Sequence, residues 1–268
     1  MKNHCCKIMK KSFLTIAAGG YLLAATITSC SVKEDRSVCP CLLDVDLLGA
    51  PAARAPFLTG LTQGNGVTYS EFQSPAEETF EVSRSRADVF ACSIKDIARD
   101  RIENTVYRIP EGQQADSLWS FNGYAECAGE TDYIKAELHK QFAAVDLEVI
   151  GMPENSQVSL EGEVNGMDLL TRTPAEGPYS LALSKGDDGH FHFTLPRQNP
   201  QSRISLYVND GGGNVDFDLA GWIRAEGYDW GAADLDDIRI TFNYQEMDVT
   251  VEIKDWNETD QSTGVGDV

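Results

Sequence analysis

Basic residues are scarce in this 268-residue chain: 22 Lys and Arg stand against 42 Asp and Glu, a formal charge of −20 at pH 7. A partner gripped by its phosphate backbone requires clustered Lys and Arg, so nucleic-acid binding is excluded. Histidine is rarer still, with four in all. The sequence contains no Gly-x-Ser-x-Gly elbow, no His-Glu-x-x-His helix and no Gly-Lys-Ser/Thr phosphate loop. Nothing therefore pairs a nucleophile with its base, and the chain reads as a non-enzyme without a cofactor. Periodic glycine, sustained heptads and repeated long apolar runs are also missing, which removes collagen-like, coiled-coil and polytopic membrane classes. What remains is ordinary globular usage, 42% apolar and 24% charged, in a length that allows one large or two modest domains.

The single apolar stretch, from about Phe13 to Ile27, follows Lys2, Lys7, Lys10 and Lys11, and no acidic residue precedes Glu34. A positive region before an apolar run shorter than the roughly 20 residues of a spanning helix is the layout of a secretory signal. The run ends in Ile27-Thr28-Ser29-Cys30. That resembles a bacterial lipobox, with Ile27 where Leu is usual, and implies cleavage after Ser29 and lipidation of Cys30. The alternative is a plain signal cut near Ala25, or an uncleaved anchor. Several acyl chains at about 0.8 kcal/mol per buried methylene hold a soluble domain on a membrane durably. Lys33, Glu34 and Asp35 come next and look like the export signal that sends some lipoproteins to the outer face of the outer membrane; the bland alternative is a charged tether. Removing residues 1–29 leaves 18 basic residues against 42 acidic ones. So acidic a body stays soluble and repels other anionic surfaces.

Cys5 and Cys6 leave with the signal and Cys30 takes the lipid, so Cys39, Cys41, Cys92 and Cys127 remain. An even number in an oxidising compartment suggests disulfides. A bridge between Cys39 and Cys41 would close a strained ring around Pro40. Pairing each with Cys92 and Cys127 is the more comfortable expectation; buried thiols are the alternative. The Cys-Pro-Cys spacing suits neither zinc nor a thioredoxin-like motif.

Period-two alternation fills the body. Leu43, Val45 and Leu47 alternate with Asp44 and Asp46, and Val145, Leu147 and Val149 with Asp146 and Glu148. Strands are predicted over 87–94 and 117–127, and Phe191, Phe193 and Leu195 face away from His190, His192 and Thr194. Ile238, Ile240, Phe242 and Tyr244 should pair with Met247, Val249, Val251 and Ile253 across a turn at Gln245-Glu246. Short helices are expected only near Ser93–Glu103 and Gly231–Asp236. Gly, Pro, Asn and Asp clusters punctuate the strands at sandwich-like spacing. The predicted architecture is all-β: a lipoprotein signal peptide (1–29), a tether (30–38), an N-terminal β-sandwich (39–144), a C-terminal β-sandwich (145–258) and a disordered tail (259–268).

Candidate chemistry is thin. His190 and His192 share a strand face, but with only His4 and His139 besides, a solvated face outweighs a metal site. Asp210-Gly-Gly-Gly-Asn214, with Asp216 and Asp218, offers oxygen ligands without the calcium-loop spacing, so a glycine turn is favoured. Asp187-Asp188 and Asp236-Asp237 cannot single out a glycosidase among so many acids. Trp119, Trp222, Trp230 and Trp256 could stack on sugars, although aromatic residues on strands usually build core.

Five further segments point one way. Asp35-Arg36-Ser37-Val38-Cys39-Pro40 leads from the tether into the first strand, and Lys140–Val149 opens the second sandwich. Tyr228-Asp229-Trp230, Leu235-Asp236-Asp237-Ile238 and Val249–Trp256 close the chain. With Cys30, these resemble the FimB-type anchor subunits of type V fimbriae. The resemblance implies two transthyretin-like Greek-key β-sandwiches on an outer-membrane lipid anchor, facing outward. It implies no catalysis, and fimbrial shaft subunits as partners that bind by strand addition. Related pilins are cut after Arg, and Arg54 in Ala52-Ala53-Arg54-Ala55 looks accessible; for an anchor, an uncut loop Arg is the expectation. The rival reading is a surface glycan-binding lipoprotein of a polysaccharide-uptake system.

Overall fold

The computed structural model describes residues 39–255 apart from residues 65, 96 and 98. The expected cleavage site at Ser29, the lipidated Cys30, the export residues Lys33, Glu34 and Asp35, Trp256 and the tail 259–268 lie outside the described residues. In chain order the strands are β1 (Cys41–Asp46), β2 (Phe57–Gln63), β3 (Gly66–Phe72), β4 (Glu77–Val82), β5 (Ala87–Ser93), β6 (Ile102–Glu103), β7 (Val106–Arg108), β8 (Trp119–Ala125) and β9 (Thr131–Lys135). They continue as β10 (His139–Lys140), β11 (Phe142–Ile150), β12 (Gln157–Asp168), β13 (Thr173–Leu183), β14 (Phe191–Pro196), β15 (Ile204–Asn209) and β16 (Asn214–Asp218). The helix α1 (Leu219–Ala225) precedes β17 (Asp237–Asn243) and β18 (Asp248–Lys254). The all-β expectation holds.

The first sandwich packs a three-stranded sheet, β4-β1-β9, on a five-stranded sheet, β10-β8-β5-β2-β3. Strand β1 is central, antiparallel to β4 and parallel to β9. Its alternation decides its orientation: Leu43 and Val45 are fully buried, while Asp44 accepts from the Thr79 hydroxyl at 2.6 Å and Asp46 from the Tyr133 hydroxyl at 2.5 Å on the outer face. The five-stranded sheet behaves differently. Phe57, Leu61, Val89 and Ala91 join the core beneath β1, whereas Leu58, Phe90 and Cys92 point the other way, into the core of the second sandwich. The Phe90 ring lies over Gly60, where a Cβ would sit 2.1 Å from it, so only glycine fits beneath that ring.

The second sandwich packs the sheet β14-β11-β17-β18 on the six-stranded sheet β16-β15-β12-β7-β6, with β13 paired to the other edge of β12. Strands β11 and β17 run parallel; every other pairing in these two sheets is antiparallel. The long β12 serves β15 along 157–162 and β7 along 166–168, its pairing with β13 shifting register between the two. At the second station Gly166 lets the backbones close in, since a Cβ there would meet the Tyr107 carbonyl oxygen at 2.1 Å. Strands β6 and β7 thus belong in sequence to the 39–144 segment and in space to the second sandwich's sheet.

The C-terminal hairpin has the predicted register, Ile238 opposite Ile253, Ile240 opposite Val251 and Phe242 opposite Val249. The expected helices differ. Ser93–Glu103 yields one 3-10 turn at Arg99–Arg101 before β6, and Gly231–Asp236 forms no helix. The α-helix falls instead at 219–225, where the Asp218 carboxylate accepts from the Gly221 N–H at 2.8 Å and Leu219, Ala220 and Ile223 are buried. Its signals were an Asp N-cap and a Gly at 227 in the left-handed region (φ 78°). Among the described residues, no helix is long and apolar enough to cross a membrane.

Candidate functional site

Where β10 leads into β11, three cationic side chains and His139 grip the segment between α1 and β17. The Lys140 ammonium, fully buried, donates to the Asp237 carboxylate at 2.5 Å and the Leu235 carbonyl at 3.0 Å, beside the Phe142 ring. Burial pulls its pKa below the usual lysine value, against the pull of Asp237. Asp237 also accepts from the Ala144 N–H at 2.8 Å, so one carboxylate ties β17 to β11. The Arg197 guanidinium donates to Gln141 Oε1 and to the carbonyls of Trp230, Ala232 and Ala233. Desolvation, with Arg172 nearby, lowers its pKa to about 10. Arg172 reaches the Ala233 carbonyl at 2.9 Å, and His139 contacts Asp234 at 3.0 Å. The Lys140–Val149, Tyr228–Trp230 and Leu235–Ile238 motifs are therefore halves of one buried polar clamp. Sequence reading placed Asp236-Asp237 among uninformative acid pairs; that Asp237 meets Lys140 has no local signal.

The outer face of the sheet β14-β11-β17-β18 carries the histidines. His190 Nδ1 lies 2.7 Å from Asp146 Oδ1, the Arg239 Nε donates to Asp146 Oδ2 at 3.0 Å, and His192 Nε2 lies 2.8 Å from Asp188. Burial pushes the Asp146 carboxyl up, but His190 and Arg239 together outweigh it and hold it below its ordinary value. The bond to Asp146 raises His190. Gln114, Asp146, His192, Thr194, Arg239 and Lys254 line a groove of about 270 Å³ here. The groove ends at β18, whose other edge pairs with no strand among the described residues. Val249 and Ile253 on that strand's inward row remain only half-buried.

The remaining predicted residues have structural duties. Asp210 accepts from the Gly212 N–H at 2.9 Å and the Tyr244 hydroxyl at 3.0 Å, which makes the glycine run the turn between β15 and β16. Asp218 caps α1. Trp119 and Trp230 are buried, and half-buried Trp222 packs against Phe217 and Phe242. Arg54 sits in a 3-10 turn, its guanidinium 3.3 Å above the Trp119 ring and its carbonyl accepting from the Ser93 hydroxyl at 2.5 Å. The accessible-looking stretch is pinned.

The four described cysteines, Cys39, Cys41, Cys92 and Cys127, are thiols in this structure. Cys41 and Cys127 are fully buried together in the core of the first sandwich, where burial and the neighbouring Cys41 raise the Cys127 thiol. Cys39 is half-buried. The expected pairing of Cys39 or Cys41 with Cys92 needs correction: side chains alternate across β5, and Cys92 points with Phe90 into the opposite core.

No family model matches the chain, and no curated protein matches it in sequence. Solved structures match in fold. The fimbrial anchor protein Mfa2 from Porphyromonas gingivalis is similar with a TM-score of 0.59 and 17% identity, covering 81% of this chain and 98% of that one. A candidate polysaccharide-binding protein from Bacteroides thetaiotaomicron gives 0.56 and 12%, covering 82% and 99%. A candidate adhesin from the same species gives 0.53 and 11%, covering 81% and 97%.

Proposed function

We propose that this chain is a non-catalytic lipoprotein of the outer-membrane surface and an anchor or accessory subunit of a type V fimbria. The observation that carries the reading is the shared fold with a fimbrial anchor along nearly the whole of that protein, joined to the Cys30 lipobox of this sequence. Cleavage behind Ser29 leaves Cys30 to hold the lipid, and Lys33, Glu34 and Asp35 direct the protein outward. Shaft subunits dock by strand addition, in which backbone hydrogen bonds give affinity and alternating side chains set register. The receiving edge is β18: its outer side pairs with no strand among the described residues, and half-buried Val249 and Ile253 supply an apolar row for an added strand to cover. The pinned Arg54 agrees with an anchor that keeps β1 and its lipid on one chain.

The test is a pull-down from detergent-solubilised outer membranes, comparing wild type with Cys30→Ala by mass spectrometry. Pilin subunits should co-purify with wild type, and Cys30→Ala cells should shed fimbriae into the medium. Recovery of glycan-uptake proteins in their place would sink the anchor reading and favour the polysaccharide one, to which the second structural likeness lends support.

A further inference from the structure

We infer that Cys41 and Cys127 are oxidised to a disulfide in the exported protein, stapling β1 to the loop that joins β8 and β9. The inference rests on the export reading above, because a cytoplasmic chain would keep its thiols reduced. Four observations select this pair from the possible ones. Both side chains are fully buried in one core, and Cys41 is near enough to Cys127 to help raise its thiol pKa. Backbone geometry supports the contact: the Leu42 N–H donates to the Glu130 carbonyl at 2.9 Å, fixing β1 against the start of β9 three residues beyond Cys127. Cys127 is itself held, its N–H donating to Asp132 Oδ2 at 3.0 Å. Cys92 is on the far side of the five-stranded sheet and cannot compete.

The chemistry balances with a protein disulfide of a thiol-oxidising enzyme as oxidant. One thiolate of the pair attacks that disulfide, forms a mixed disulfide and releases one thiol of the oxidant. The second thiolate displaces the oxidant's remaining sulfur, so the pair gives up two protons and two electrons and the oxidant leaves as a dithiol. Burial raises the Cys127 thiol to about 12 and shields both sulfurs, so the exchange belongs to folding, before the core closes. Once made, the bond is beyond the reach of a reductant in the folded protein. Its position has a mechanical sense. β1 is the first strand among the described residues after Cys30, so a pull on the lipid reaches β1 before any other described element. The bond would carry that load to the β8–β9 connection and not leave it to ladder hydrogen bonds.

The experiment uses the full chain extracted in detergent from envelopes alkylated at harvest, mapped by mass spectrometry without reduction. A second sample is reduced under denaturant and refolded in a glutathione redox buffer, which does not depend on export. The expected result in both is a Cys41–Cys127 linked peptide with Cys39 and Cys92 alkylated once unfolded. Dithiothreitol should leave the link intact until denaturant is added, and Cys41→Ala with Cys127→Ala should lower Tm by about 10 °C. A link formed only in glutathione supports the pair and overturns its formation on export. Alkylated Cys41 and Cys127 in both samples, or a Cys39–Cys127 link, overturns the inference.

Discussion

The two sheets of the first sandwich are built from similar residues and differ in what they face. In β1 and β4 burial alternates, with acids outside and Leu43, Val45, Phe80 and Val82 inside. In β2 and β5 burial is nearly continuous, because that sheet lies between two cores. Antiparallel sheets ordinarily face water on one side. Covering both faces makes the five-stranded sheet the shared wall of two sandwiches, so the chain behaves as one packed body. Polar contacts across the wall agree: the Asn122 amide donates to the Leu170 carbonyl at 3.0 Å, and the Tyr69 hydroxyl to the Asn104 carbonyl.

The sharpest way to break this comparison is Phe90→Ala, which empties the space over Gly60 at the wall. It should cost about 3–5 kcal/mol and lower the melting of both sandwiches in one transition. Leu43→Ala, beneath the outer sheet, should cost about 2–5 kcal/mol. Separate transitions in calorimetry for Phe90→Ala would mean that the wall does not couple them. Lys140→Met comes next: it strands the Asp237 carboxylate against β11, and denaturant unfolding should show a loss of about 3 kcal/mol. Replacing Asp237 as well should recover part of that loss.

Smaller effects lie at the margins. Arg54→Ala removes the cation from above Trp119 and should cost about 1 kcal/mol in thermal melts. The histidine face adds a pH dependence. His190 is raised in the folded state above its unfolded value of about 6.5. Its contribution is therefore full below pH ~6.5 and is lost as pH rises through the folded pKa. Asp146 is lowered, so its contribution is present above about pH 4 and fades as pH falls through its folded pKa. His190→Gln should flatten the alkaline side of a Tm-against-pH curve; an unchanged curve would mean that Asp146 gains nothing from the imidazolium.

Much of the local structure was legible because a strand with one dry face must alternate. Leu43-Asp44-Val45-Asp46, Val145–Val149 and the hairpin from Ile238 to Ile253 carry their orientation in their own residues, and the register follows from keeping one face dry. Where two faces are buried that signal disappears. Phe90 reads simply as a strand residue, with nothing to say which core it enters.

The sequence by itself determined the all-β class, the alternating strands and the C-terminal hairpin, since period-two patterning acts over a few residues. Only the tertiary structure decided that 102–108 crosses to the second sandwich, that Lys140 and Arg197 close one clamp, and that Cys41 meets Cys127 and not Cys92. Each of these depends on which face of a sheet meets which neighbour, a choice made between segments tens of residues apart and marked in neither.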